Sequence, residues 1–206
     1  IPTGLAGPLQ LVVGAHGEIY VGQSFAGILP KVNRNGKVVV LRTEPVSVTG
    51  VASRGKAVAY TVRGDDPAKP LAKLKLRRPN GKVRVVADLA RYEAKNNPDQ
   101  LNRYGFRGLS AACLAQLPED FQPYTGQVDS NPYALLNTKG GWYVADAGAN
   151  TILKVTRKGK VSTHFVFRPQ KTVVSAEQAE AFGLPACVAG KTFAFEPVPT
   201  DAEYNF

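Results

Sequence analysis

The stretch Gly17–Val38, GEIYVGQSFAGILPKVNRNGKV, recurs without a gap as Gly140–Val161, GGWYVADAGANTILKVTRKGKV, with 10 identities in 22 positions at an offset of 123. Tyr20-Val21 is matched by Tyr143-Val144, Lys31-Val32 by Lys154-Val155, Arg34 by Arg157, and Gly36-Lys37-Val38 by Gly159-Lys160-Val161. A chain that repeats itself at this length declares its architecture before any motif declares its chemistry.

Working outward, Leu9–Val13, Glu18–Gln23, Gly27–Val32 and Lys37–Leu41 read as four short strands separated by the turns Ala15-His16-Gly17 and Asn33-Arg34-Asn35-Gly36. The later copy runs Tyr133–Leu136, Trp142–Ala145, Thr151–Thr156 and Val161–Phe167. A weaker copy lies between them, ending in the turn Pro79-Asn80-Gly81-Lys82 and the strand Val83–Ala87. Units of about 40 to 50 residues with a turn glycine before the last strand have the period of a β-propeller blade. Proline announces the first strand of a unit in Gly7-Pro8-Leu9 and Asn131-Pro132-Tyr133, where no ladder hydrogen bond is lost, and again in Val198-Pro199-Thr200.

The expected fold is therefore all-β, a β-propeller of four-stranded antiparallel blades with short helical insertions. Blade 1 occupies about 7–41, blade 2 about 50–87 and blade 3 about 130–168, with insertions at 88–129 and 175–183 and the start of a fourth blade at about 188–206. Three blades and one strand make an arc of a six- or seven-bladed ring, so a remaining segment or second chain is expected to close it. In the insertions Asp88 caps Leu89–Ala94, Ser110 caps Ala111–Leu117, and Ser175-Ala176-Glu177-Gln178 has capping-box spacing.

The composition, with 44% hydrophobic and 20% charged residues over 206 positions, is that of a globular chain with a real core. No run of about 18 apolar residues is present. The sequence contains no Met, which leads us to expect that a leader has been removed, and a cleaved export signal is the simplest such leader. Cys113 and Cys187 suit one disulfide in an oxidising compartment; two buried thiols in a reducing one are the alternative. Both lie in insertions, and a bridge closing about 74 residues would contribute roughly 4 kcal/mol on the chain-entropy account.

Several strings resemble the ScyD/ScyE-type family of secreted actinobacterial propellers. They are Gly7-Pro8-Leu9-Gln10-Leu11, Ala87-Asp88-Leu89 with Tyr92-Glu93 and Asn97-Pro98-Asp99, Val128-Asp129-Ser130-Asn131-Pro132-Tyr133, Tyr143-Val144-Ala145-Asp146-Ala147-Gly148 with Asn150, Gly183-Leu184-Pro185 with Cys187, and Phe195-Glu196-Pro197-Val198-Pro199-Thr200-Asp201. The resemblance implies a secreted, extracellular propeller. The family's member of known activity binds a neutral metalloprotease, induces its autolysis and is a glutamine donor for transglutaminase, which makes both enzymes expected partners. Transglutaminase needs an amide on mobile backbone, and Gln100, Gln122, Gln127 and Gln170 fit that better than Gln23 inside a strand.

No catalytic residues are assigned. His16 in a turn and His164 in a last strand have no partners in the sequence that mark a base, and the two His and two Cys lack zinc-ligand spacing. Asp129, Asn131, Glu196 and Asp201 fall at or just before innermost strands, at the channel mouth. There they either cap turns or form an oxygen ring for Ca²⁺, as in lactonase-type hydrolases, which is the alternative function. The expected cofactor is none, with Ca²⁺ as the exception. The net charge of +10 includes Lys73, Lys75 and Arg77 on one face of a strand, expected to be solvated and to discourage edge pairing. No aromatics interleave with this stripe, so nucleic acid is not an expected partner, while a basic surface fits an acidic extracellular protease or wall polymer.

Overall fold

A computed structural model describes residues 5–203. Its first twelve-strand framework is three meanders. β1 (Pro8–Val13), β2 (Ile19–Gln23), β3 (Ile28–Val32) and β4 (Val38–Thr43) form one sheet in chain order; β5 (Ser47–Arg54), β6 (Ala57–Arg63), β7 (Ala72–Arg77) and β8 (Val83–Asp88) form the next. After an insertion carrying α1 (Leu89–Asn96), β9 (Arg103–Arg107), α2 (Ala111–Leu114) and β10 (Tyr124–Thr125), the third meander is β11 (Pro132–Asn137), β12 (Gly141–Asp146), β13 (Thr151–Thr156) and β14 (Val161–Val166). All pairings are antiparallel. The fold is a β-propeller of four-stranded antiparallel blades.

The repeat is visible in the backbone. Pro8 and Pro132 each open a first strand, and each is followed by a register shift before the next pair, Gln10↔Gly22 and Ala134↔Ala145. Gly36 and Gly159 hold the same left-handed turn, with φ of 80° and 89°. Gln23 and Asp146, also related by the offset of 123, are both fully buried at the ends of second strands. Each accepts a main-chain N–H from the segment leading into the first strand, Ala6 for Gln23 and Asn131 for Asp146. A buried polar side chain at this point fixes the path by which one blade leads into its own first strand.

Neighbouring blades meet through apolar faces. Tyr20 and Leu29 of the first pack against Val48, Val51, Val58, Tyr60 and Val62 of the second. Ala52, Ala59 and Leu74 of the second pack against Leu135, Trp142, Val144, Leu153 and Val155 of the third, with Leu89 and Ala90 of α1 joining them. Closeness of the innermost strands depends on glycine: a Cβ at Gly22 would lie 1.9 Å from the Thr49 carbonyl oxygen, and one at Gly50 would lie 2.9 Å from the Ala134 carbonyl carbon. Polar groups stitch the same seam. The hydroxyls of Thr49 and Thr61 both donate to the Pro132 carbonyl, at 2.6 and 2.9 Å.

A fourth four-stranded sheet, in the order β10-β9-β16-β15, is built from two distant segments, since β15 (Gln170–Val173) and β16 (Thr192–Phe195) follow the third blade. Segment 88–129 thus contributes two strands as well as helices. Where the sequence suggested only the beginning of a further blade, β16 belongs to this complete sheet, and residues 199–203 contain no strand. Tyr204–Phe206 lie outside the described residues. The sheet has its own core of Phe106, Leu117, Val174, Leu184 and Val188, beside α3 (Ala176–Ala181). Cys113 and Cys187 are disulfide-bonded, with Cα atoms 6.0 Å apart, joining the two segments. Asp88, Ser110 and Ser175 cap α1, α2 and α3, the last through a complete capping box.

The basic stripe is neither at an edge nor wholly solvated, contrary to the expectation from alternation. β7 lies between β6 and β8, so it is not an edge, and Lys75 is not solvated: its ammonium sits 2.7 Å from Glu44 Oε2. Glu44 also accepts from Tyr60 Oη at 2.6 Å and from Arg42 Nε at 3.1 Å. Burial acts to raise the Glu44 carboxyl, but these three donors bring it below the ordinary carboxylate value. Alternation alone identified the polar face of the strand and not the neighbouring blade's carboxylate that covers it.

Candidate functional site

In a meander, the turns alternate between the two ends of the blade. The connection between β6 and β7 and the segments leading into first strands therefore share one end, and the first-to-second and third-to-fourth turns share the other. At the former end two clefts adjoin. One, of about 350 Å³, lies between the β6–β7 connection and the 89–131 insertion, and is lined by Arg63, Asp65, Asp66, Glu93, Gln127 and Asp129 among others. The second, of about 380 Å³, is lined by Glu119, Asp120, Gln122, Tyr124, Gln127, Asp129, Gly148 and Glu196. Gln127 and Asp129 are common to both, and Arg63 is the one Lys or Arg in either lining. On a chain of net charge +10 this is a pronounced local reversal of sign.

Local structure explains how the linings are held. Asp129 folds over Gly148, where an added Cβ would lie 2.7 Å from its Oδ2, and its Oδ1 is 3.7 Å from Arg63. Arg63 also reaches Asp65, at 3.4 Å, so one guanidinium bridges the two walls of the first cleft. Tyr124 donates to Glu196 Oε1 at 2.9 Å; burial, then this carboxylate, pushes the phenol well above its usual value.

Two buried carboxyls, Asp146 and Asp99, lie behind the clefts, and a third, Glu93, forms part of the first cleft's wall. Asp146 accepts from Ser130 Oγ at 2.7 Å and from the N–H groups of Asn131 and Ala149 at 2.6 and 3.3 Å, and burial raises it to about 6 despite these donors. Asp99 Oδ2 accepts from Tyr104 Oη at 2.8 Å and Asn150 Nδ2 at 3.0 Å. Glu93 on α1 is 1% exposed, and neither carboxyl oxygen has a hydrogen-bond partner among the described residues. Burial, then the charges of Asp146, Asp99 and Asp129, raises it to about 8. A neutral Glu93 removes one charge from a crowded acidic region.

The residues singled out in the sequence divide into two groups. Gln122, Gln127, Asp129 and Glu196 are brought together in the second cleft. Gln100, Asn131, Asp201 and Gln170 are elsewhere. Gln100 is exposed just past α1, and Gln170 is exposed but lies in β15, paired with Phe195. Asn131 serves the turn through its main chain, accepting from Ala147 N–H at 2.8 Å. Asp201 accepts from Gln10 Nε2 at 3.4 Å and from Ala202 N–H. Gln122 donates to the carbonyls of Leu114 and Leu117 at 2.9 and 3.1 Å, which ties its amide down, whereas the Gln127 side chain is exposed. His16 lies in the opposite end's turns, and His164 packs against Tyr143 in a tilted pair with ring centroids 4.7 Å apart. Among the described residues no three His, Cys, Asp or Glu side chains are placed to hold a metal ion together.

No known family profile matches this sequence, and no curated protein matches it. Solved structures similar to it include a virginiamycin B lyase from Staphylococcus aureus, at 15% identity and a TM-score of 0.39 over 95% of this chain and 65% of that one. A streptogramin B lyase structure is similar at 16% identity and a TM-score of 0.39, over 81% of this chain and 56% of that one. An inactive variant of the Staphylococcus aureus lyase with quinupristin gives 11% identity and a TM-score of 0.28. The chain thus spans less than two thirds of the length of the first two.

Proposed function

We propose that this chain is a secreted, non-enzymatic β-propeller of the ScyD/ScyE type that docks another extracellular protein at its acidic end. The partner in this reading is a neutral metalloprotease whose autolysis it induces, and the chain itself is a glutamine donor for transglutaminase. The observation that carries the reading is the placement of Gln127. Its exposed side chain stands outside any strand, between Gly126 and Val128, at the junction of two carboxylate-lined clefts. An amide in that setting can enter a second enzyme's cleft without a sheet being dismantled. The clefts offer a basic segment of a partner complementary charge on both sides. The Cys113–Cys187 bridge supports an oxidising, extracellular location. Leu11, Val13 and Val40 of the first blade are 61%, 59% and 52% exposed, which supports a further propeller segment packing beside it.

The test is to incubate an active neutral metalloprotease with and without the purified chain and follow the protease on a denaturing gel. The reading expects protease loss to accelerate in proportion to the chain added. An unchanged protease lifetime, with no complex on size-exclusion chromatography, contradicts it.

A further inference from the structure

The end of the propeller opposite the acidic clefts carries most of the unbalanced positive charge. Its turns read His16-Gly17, Asn33-Arg34-Asn35-Gly36-Lys37, Arg54-Gly55-Lys56, Arg77-Arg78-Pro79-Asn80-Gly81-Lys82, Lys139-Gly140 and Arg157-Lys158-Gly159-Lys160, and Glu18 is the carboxylate beside them. The ion pairs among the described residues involve Arg42, Arg63 and Lys75, and none of the cations in these turns. Between the turns of the first and second blades is a cleft of about 450 Å³ rimmed by Lys31, Arg34, Lys56 and Arg77. Glu18 also lines it, but its oxygens accept from the His16 N–H at 3.0 Å and from Tyr20 Oη at 3.1 Å.

The internal repeat distinguishes a structural cation from a free one. Arg157, the counterpart of Arg34, lies 4.2 Å from the centroid of the Trp142 ring, donates to Asn137 Oδ1 at 2.6 Å and also donates to the Thr138 carbonyl. In the first blade Ile19 stands where Trp142 does, and the Arg34 guanidinium, which lies over Gly17 at the cleft, donates no side-chain hydrogen bond among the described residues. The same position that closes a turn in the third blade is left at the rim of a cleft in the first.

We propose that this end binds linear polyphosphate, one segment seated among Arg34, Lys56 and Arg77 and the rest running over the turns of the second and third blades. Two guanidiniums and two ammoniums around one cleft match the closely spaced charges of successive phosphates, each with two non-bridging oxygens sharing one charge and a terminal one with three, better than a lone carboxylate. His16 is the one aromatic ring in these turns, and Tyr20, which also lines the cleft, is only 4% exposed, so the surface offers few of the anchors that a folded protein partner uses or the stacking platforms that bases use. Charge read at intervals along a chain is what remains, and such binding is governed by counterion release.

The experiment measures binding of the full chain to fluorescently labelled inorganic polyphosphate by polarisation across a salt series. Two double variants are compared, R34E/K56E at the proposed cleft and K171E/K191E on the fourth sheet, each lowering the net charge from +10 to +6. We expect binding that weakens steeply with salt, a loss of about tenfold or more in R34E/K56E, and a loss of less than about threefold in K171E/K191E. Circular dichroism confirms folding, and R34Q/K56Q, expected to lose an intermediate amount, replaces R34E/K56E if that variant does not fold. No binding at low salt, equal losses in both double variants, or tighter binding of single-stranded DNA or polyglutamate at matched charge each overturns the proposal.

Discussion

Gln10 and Leu135, 125 residues apart, are joined by one hydrogen bond: the Gln10 side-chain oxygen accepts the Leu135 N–H at 3.0 Å, and the same oxygen accepts the Val51 N–H at 2.7 Å. A single amide on β1 therefore satisfies main-chain donors on β5 and β11, the first strands of the other two meanders. Val51 and Leu135 are both buried, so removing the acceptor leaves two N–H groups of buried residues without their partner. Gln10→Ala is expected to lower stability by about 2–4 kcal/mol, read as a lower urea midpoint with an unchanged slope. A change within experimental error would show that the inner strands do not depend on this bridge.

The disulfide should act regionally. It joins α2 to the segment after α3 and holds the core of the fourth sheet, while the three meanders have cores of their own. In Cys113→Ser/Cys187→Ser, stability is expected to fall by roughly 4 kcal/mol. Amide exchange at Phe106 and Phe193 should rise well before exchange at Tyr60 and Leu153. Uniform acceleration would show that the four sheets open as one unit.

Glu93 gives the fold a pH dependence of definite sign. In the folded chain its carboxyl holds its proton to about pH 8, against an ordinary value of 4.5, so between these limits the folded state binds more protons than the unfolded state. Stability must then fall as pH rises through that window. Asp146, raised to about 6 from 3.8, contributes with the same sign only below about pH 6. Between pH 6 and 8 the wild-type melting temperature should decline, and Glu93→Gln should flatten the decline. Parallel curves would remove Glu93 as the cause.

The pair Glu44 and Lys75 tests the interface between the first two blades. Glu44 has a side chain 2% exposed and Lys75 one 17% exposed. Lys75→Met keeps the stem and removes the charge, leaving a buried carboxylate held only by Tyr60 and Arg42. A loss of about 3–5 kcal/mol in thermal or urea unfolding is expected. A loss under about 1 kcal/mol would mean that Glu44 takes up a proton at little cost.

Much of this was legible in the sequence, for reasons that particular residues make plain. The meanders were visible because each pairs only with its chain neighbours and marks its turns with Gly36, Gly81 or Gly159. The helix caps were visible because Asp88, Ser110 and Ser175 act within three residues of themselves. The fourth sheet was not, because β9 pairs with β16 across a whole intervening blade and Tyr104-Gly105-Phe106 is buried on both sides, without alternation. Glu93 does not stand out in the sequence, because Tyr92-Glu93-Ala94-Lys95 reads as a solvated helix face until Asp99 and Asp146 are folded near it. Gln127 and Asp129 were singled out, but their meeting with Glu196 depends on the return of the chain after β16.

The proposed docking of a protein partner at the acidic end can be measured by titrating the chain against an immobilised, inactivated neutral metalloprotease, comparing wild type with Asp129→Lys/Glu196→Lys and with R34E/K56E. Wild type and R34E/K56E are expected to bind alike, and reversal at Asp129 and Glu196 to weaken binding by about tenfold or more. Equal binding by all three, or no binding by wild type, would contradict it.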